Sequence, residues 1–353
     1  MVWKNAAQGL LCVYPDLQKH DLTLCAMPEQ LDGVRLLSGP EPVVHLKQGV
    51  NTCWADGITT AMRMHGLGRL AYDASDASEP PTATSLTLAL LRADWSKFKK
   101  EDHARYLSPI LDQISAQLLH IEKGSMGNPG DFWQFATRGL PSVSFNTIKK
   151  KTCTSCNEST YYQTPQDIDV NSIELYGQAS SQGTFPHALN SWFKDQDIQK
   201  HKENFSTCSS CNNELPFSQK TVMLDRPPHV LCVGMNTGEK DSLPDLKDPN
   251  TVLGGVELKF EHISGEERSV KYKTVALVYS GGPSHWVSAV RVKYQKTATS
   301  KTAVEGWLGC DGQKDSCREL NGRTLNPKIN SGAVARVLLK RVYKECENRM
   351  YLK

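Results

Sequence analysis

Apolar positions along this 353-residue chain change their period part-way. Up to about residue 141 they recur at the spacing of amphipathic helices, and beyond it they gather into short β-branched and aromatic runs. Ile58, Ala61 and Met62 share one side of a helix predicted to start at Cys53. That helix should stop near Gly66 or Gly68, which suit a C-cap. Leu86, Leu90 and Leu91 form a second apolar set, and Tyr106, Ile110, Ile114, Leu118 and Ile121 a third. Core packing explains both. Asp131–Phe135 begins a further helix, and the turn-rich stretch Asp73–Thr82 reads as a linker.

From about Ser142, strands are expected at Val222–Leu224, His229–Met235, Thr251–Leu258, Thr274–Tyr279 and Ala333–Val342. Phe185, Leu189 and Trp192 keep helical spacing between them. Helices first and an antiparallel sheet later make the fold class α+β. Residues 1–42 mix strand-like and turn-like pieces and read as an N-terminal extension without an assignable role.

Composition narrows the function classes. With 39% hydrophobic and 22% charged residues the chain is globular. A net charge of +3 lacks the concentrated basic footprint of a nucleic-acid binder, so no direct nucleic-acid partner is expected. No apolar run approaches membrane-spanning length and no signal peptide is evident, so no membrane partner is expected either. Eleven cysteines, an odd count that includes two Cys-x-x-Cys pairs, point to an intracellular, reducing setting.

Chemistry concentrates at three places. In Gln48-Gly-Val-Asn51-Thr-Cys53-Trp54 a cysteine opens a helix, where the macrodipole and unpaired N–H groups favour the nucleophilic thiolate. A buried packing cysteine is the plainer alternative. Gln48 or Asn51 could supply a side-chain donor to an oxyanion beside the backbone N–H of Cys53. His285 stands where Tyr279–Ser284, read as a flexible loop, meets the alternating strand Trp286–Val292. A solvated strand histidine would look the same. Asp311 fits the carboxylate that orients an imidazole, and equally the first residue of an Asp311-Gly312 turn. Both roles are compatible.

Cys153, Cys156, Cys208 and Cys211 form two knuckles at the spacing of a four-cysteine structural zinc site. Free or redox-active cysteines are the alternative. The other cysteines show no usable spacing. Lys149-Lys150-Lys151, beside the first knuckle, reads as a solvated strand end, with contact to an acidic partner as the lesser alternative.

Together these motifs resemble the ubiquitin-specific protease superfamily of papain-like cysteine peptidases, from about Val43 to Leu338. Asn51-Thr-Cys53-Trp54, the two knuckles, Pro227-Pro-His-Val-Leu231 and Gly281-Gly-Pro-Ser-His285-Trp286 occur in that family's order. Cys53-Trp54-Ala55-Asp56 and Trp307-Leu-Gly-Cys-Asp311 are similar to a divergent branch, the ubiquitin-specific peptidase-like SUMO isopeptidase. Where the family usually has Asn and Gly ahead of the nucleophile, this chain has Gln48 and Val50.

The resemblance implies Cys53 as nucleophile, His285 as general base and acid, and Asp311 as the orienting carboxylate. It implies a structural Zn2+ on Cys153, Cys156, Cys208 and Cys211. The fold implied is a papain-like cysteine protease over about 43–350. Its parts would be a helical thumb (43–141), a zinc-binding fingers-like module (142–220) and an antiparallel β palm (221–350). Function is then expected to be a SUMO-specific thiol isopeptidase acting on SUMO and its protein conjugates in the nucleus. The alternatives are a ubiquitin-specific deubiquitinase with the same triad and an inactive modifier-binding scaffold.

Overall fold

The helix expected at Cys53 forms because its apolar face, Trp54, Ile58, Ala61 and Met62, is wholly buried. In the computed structural model α1 spans Cys53–Met64 and is capped at His65, just before the glycines expected to end it. The structure describes residues 52–65, 91, 127–138, 140, 142–175, 184–194, 196–197, 208–212, 217–235, 248–295, 303–314 and 317–343. Gln48, Asn51, the extension 1–42 and most of the two expected thumb helices lie outside these.

Along the chain follow α2 (Pro129–Ala136), β1 (Thr147–Cys153), β2 (Ser159–Tyr162), β3 (Ser172–Leu175) and α3 (Phe185–Ser191). Then come β4 (Gln196–Asp197), β5 (Phe217–Met223), β6 (Val230–Met235), α4 (Pro249–Gly254), β7 (Val256–His262) and β8 (Glu267–Gly282). The last are β9 (His285–Gln295), β10 (Ala303–Cys310), β11 (Arg318–Leu320), α5 (Gly322–Asn330) and β12 (Val334–Arg341). No helix among the described residues is long and apolar enough to cross a membrane.

The chain divides into two compact units. One draws on residues 1–142 and 275–338. Here α1 packs on β9, and antiparallel pairing joins the end of β8 to β9, β9 to β10 and β10 to β11. At Gly57, on the face of α1 toward the sheet, a Cβ would stand 3.7 Å from Ser288 N and Val278 Cγ1, at ordinary packing distance. Trp54 meets Phe132 of α2 edge to face at 5.7 Å. That contact anchors the helix that carries Cys53.

The other unit draws on residues 143–274 and 339–353. β1 pairs antiparallel with β2 and with β5, and β7 with the start of β8. Two pairs are parallel, β3 with β6 and β5 with β7, so the expected sheet is mainly and not wholly antiparallel. The three lysines of β1 are not a solvated strand end. Lys149 reaches Asp167 at 3.4 Å, Lys150 reaches Glu261 at 2.9 Å, and Lys151 lies over the Phe217 ring. Their carboxylate partners come from other elements, which residues 149–151 alone do not reveal.

Two further expectations change. Thr251–Gly254 is helical, not strand. Asp248 caps α4 by accepting from Asn250 N, Pro249 opens it, and Gly255 leaves it at φ +88°, where a side chain would be strained. Tyr279–Gly282 is the end of β8, not a flexible loop, and pairs with β9 through a bulge. Only Pro283 and Ser284 form the turn, with Ser284 at φ +58°.

Candidate active site

Three elements of the first unit bring Cys53, His285 and Asp311 together. Cys53 is the first residue of α1, His285 the first of β9, and Asp311 follows β10 directly. Cys310 is paired with Ser288, so antiparallel register carries Asp311 alongside the start of β9. His285 Nε2 and Asp311 Oδ1 are 2.9 Å apart. A carboxylate can only accept, so Nε2 is the donor, and in the neutral imidazole Nδ1 keeps its lone pair. Among the described residues the buried Nδ1 has no hydrogen-bond partner.

Asp311 faces the histidine and also opens the Asp311-Gly312 turn. Its Oδ1 also accepts from Gln313 N at 3.0 Å, and its carbonyl accepts from Lys314 N at 2.9 Å. The turn therefore fixes the carboxylate that faces the histidine.

The sulfur of Cys53 lies against the residues on either side of His285. Its thiol donates to the Ser284 carbonyl at 3.8 Å, and a backbone hydrogen bond links it to Trp286. Cys53 is only 2% exposed, and this burial pushes its pKa up. Backbone hydrogen bonds from Trp286 and Trp54 oppose the rise, while the negative charge of Asp56 adds to it. Asp56 is itself buried, one turn along α1, and accepts from Thr52 Oγ1 at 2.9 Å. The expectation of an acidified cysteine is thus corrected: desolvation outweighs the helix terminus. Neither the Ser284 carbonyl nor the Asp56 charge was identified from sequence. The αL turn residue and the Trp-x-Asp motif are the only signals that could have pointed to them.

Since the thiolate is the reactive form, alkylation of resting Cys53 by iodoacetamide should keep accelerating from neutral into alkaline pH. A rate already level at pH 7 would contradict the raised pKa. The turn also depends on Gly281. A Cβ there would stand 2.6 Å from Val287 Cγ2 and 3.1 Å from His285 Cδ2. Gly281→Ala should therefore cut kcat/KM by roughly 10- to 100-fold through a displaced imidazole. Steady-state kinetics beside a melting curve checks this: activity should fall far more than stability.

The second cluster sits in the other unit. The sulfurs of Cys153, Cys156, Cys208 and Cys211 all lie within 4.8 Å of one another. Cys153 and Cys211 are 3.8 Å apart and Cys156 and Cys208 3.5 Å. Zinc–sulfur bonds of about 2.3 Å in a tetrahedron require sulfurs about 3.8 Å apart, so the set fits such an ion.

The two knuckles share one local build. Asn157 N donates to Cys153 O at 2.9 Å and Asn212 N to Cys208 O at 2.8 Å, with both asparagines at positive φ. Backbone N–H groups of Ser210 and Cys211 turn toward the Cys208 sulfur and pull its pKa down to about 6. Those of Cys156 and Ser155 lower that of Cys153. Cys153 and Cys208 are thereby disposed to serve as thiolate ligands, whereas Cys156, despite a backbone hydrogen bond at Glu158, is pushed up to about 12 by burial and the neighbouring sulfurs.

A family model described as ubiquitin carboxyl-terminal hydrolase matches residues 84–309, well over half of the chain. The chain belongs to the ubiquitin carboxyl-terminal hydrolase family, a class of cysteine-type isopeptidases. Cys53 lies ahead of the matched segment and Asp311 just beyond it.

A comparison with curated proteins finds no match. Among solved structures, the SAGA DUB module Ubp8/Sgf11/Sus1/Sgf73 bound to monoubiquitin is similar at a TM-score of 0.53 and 12% identity. That alignment covers 94% of this chain and 76% of the other. The Neurospora crassa Pan2 catalytic unit, with protease and nuclease domain, is similar at 0.51 and 12%, covering 95% and 64%. At such identities the likeness shows the fold: α+β, of the papain-like kind found in this family.

Proposed function

We propose that the chain is a thiol isopeptidase that releases SUMO from substrate lysines through an acyl-enzyme on Cys53. The observation that carries the chemistry is the His285–Asp311 pair, whose one uncommitted nitrogen is buried beside the backbone that holds the Cys53 thiol. Nδ1 takes the thiol proton as Sγ attacks the carbonyl of the modifier's terminal glycine, and Asp311 stabilises the imidazolium. The first N–H groups of a helix have no partner within it, so the backbone N–H of Cys53 can receive the developing oxyanion. Gln48 or Asn51 would complete that site.

As the tetrahedral intermediate collapses, His285 gives its proton to the leaving lysine amine. It then takes one from water, which attacks the thioester and releases the modifier with a free carboxylate.

SUMO is favoured by Trp54 and Asp56 after the nucleophile and by Trp307-Leu-Gly-Cys-Asp311, the motifs similar to the divergent SUMO-cleaving branch. Ubiquitin is the second reading, favoured by the description of the matching family model. Zinc is the ion proposed for the four cysteines, since a sulfur-only tetrahedron with no open position suits a structural site. It would brace β1 against β5 and take no part in hydrolysis. The nucleus is the proposed setting, by resemblance to the same branch.

The test is a side-by-side reaction with SUMO and ubiquitin probes bearing a C-terminal electrophile. A Cys53-dependent adduct with SUMO alone supports the proposal. An adduct with ubiquitin alone transfers the same mechanism to the other modifier, and labelling by neither favours the inactive scaffold.

A further inference from the structure

A second pair of cysteines flanks the loop that carries Asp311. In the β10–β11 hairpin Trp307 is paired with Leu320, Leu308 with Glu319 and Gly309 with Arg318. The next step of that register sets Cys310 opposite Cys317. Their thiols are in hydrogen-bond contact, and neither is in a disulfide. Cys310 is 3% exposed, whereas Cys317 is partly open to solvent. Directly opposed residues of an antiparallel pair have Cα atoms about 4.5–5.5 Å apart, within the range a disulfide spans.

We propose that Cys310 and Cys317 form a reversible disulfide that closes the Asp311 loop, a redox site separate from Cys53. Burial holds Cys310 as the protonated partner of the pair, so the more accessible Cys317 is the sulfur that meets an oxidant. With a hydroperoxide such as hydrogen peroxide, the Cys317 thiolate takes one oxygen and becomes a sulfenic acid, and the peroxide leaves as water. The Cys310 sulfur then attacks the Cys317 sulfur and a second water departs. Two thiols have lost two protons and two electrons, and the peroxide has been reduced to two waters.

Closure brings the sulfurs to about 2 Å, shorter than any thiol contact, and must draw on the peptide next to Asp311. Cys310 is itself tied to β9, since Ser288 Oγ lies 3.5 Å from its carbonyl. The formation of the bond is independent of the isopeptidase reading, while its effect on hydrolysis rests on it. Displacement of a positioned carboxylate by a fraction of an ångström lowers turnover, here by roughly 10-fold. The raised pKa of resting Cys53 leaves that thiol slower to oxidise.

Lys314 allows a clean test, because trypsin cuts between the two cysteines. The full-length protein is treated with one equivalent of hydrogen peroxide, its free thiols are blocked, and it is digested without reductant. The expected product is the peptide 302–314 joined to 315–318, separated again by dithiothreitol. Cys310 recovered as a blocked free thiol, with Cys317 as sulfinic acid, would overturn the proposal.

Hydrolysis is followed in parallel in wild type and Cys317→Ser. Loss of activity that dithiothreitol restores in wild type and that is absent from Cys317→Ser supports coupling to Asp311. Equal loss in both proteins would place the sensitivity at Cys53 instead and sink that coupling. If no modifier conjugate is hydrolysed at all, the peptide map still decides whether the bond forms.

Discussion

Cys53→Ala should lower hydrolysis of a modifier–lysine isopeptide by about 10^4-fold or more while leaving modifier binding within a few-fold of wild type. The expected size follows from the role: without Sγ no acyl-enzyme forms, and binding alone supplies only a small residue of catalysis. Alanine fits the site, since it removes one buried atom from the first turn of α1 and leaves Trp54, Ile58 and Met62 in place. His285→Ala should lower turnover by a comparable factor, because members of one catalytic unit are not additive. Single-turnover rates beside binding isotherms separate the two effects. A Cys53→Ala protein with undiminished turnover would move the nucleophile elsewhere.

Removal of the zinc proposed for the four cysteines should have the largest effect on stability. Structural zinc sites are worth about 10–16 kcal/mol of apparent binding free energy, nearly all of it coupled to folding. Among the described residues a small buried cluster of Cys153, Cys208 and Phe217, with Cys211 packed against it, surrounds the four sulfurs. Without the ion that cluster has little else to hold the knuckles together. Chelation should therefore release metal and collapse hydrogen-exchange protection in β1 and β5 first. Amides of α1 and β9 should change much less. A metal-free protein with unchanged protection at Thr147–Cys153 and full activity would contradict a structural ion at these cysteines.

Much of the site was legible because its geometry is short-range. A histidine opening an alternating strand, an Asp-Gly turn after a strand and two Cys-x-x-Cys knuckles each encode their own local structure. Antiparallel register then brings His285 and Asp311 within 2.9 Å. Cys53 shows where this stops. Its place at the helix N-terminus is local, but its raised pKa comes from burial, which no neighbouring residue announces.

The lysines of β1 fail for the same reason, since Glu261 lies over a hundred residues from Lys150 and only the fold pairs them. α4 is a different kind of miss. Asp248, Pro249 and Gly255 suit a cap, a first turn and an exit, whereas the β-branched Thr251-Val252 favours a strand. The turn at Pro283-Ser284 was hidden by the preceding Gly281 and Gly282, which suggest a loop, yet Gly281 lies in β8 and lets Val287 and His285 pack close.

On the proposed route hydrolysis passes through a thioester between Cys53 and the modifier's terminal glycine. Acid quenching of a single turnover, followed by intact mass and peptide mapping, measures it most directly. The expected result is a transient adduct equal to enzyme plus modifier, mapped to Cys53, labile to hydroxylamine and absent from Cys53→Ala. An adduct on another residue, or turnover with no adduct at Cys53, would contradict it.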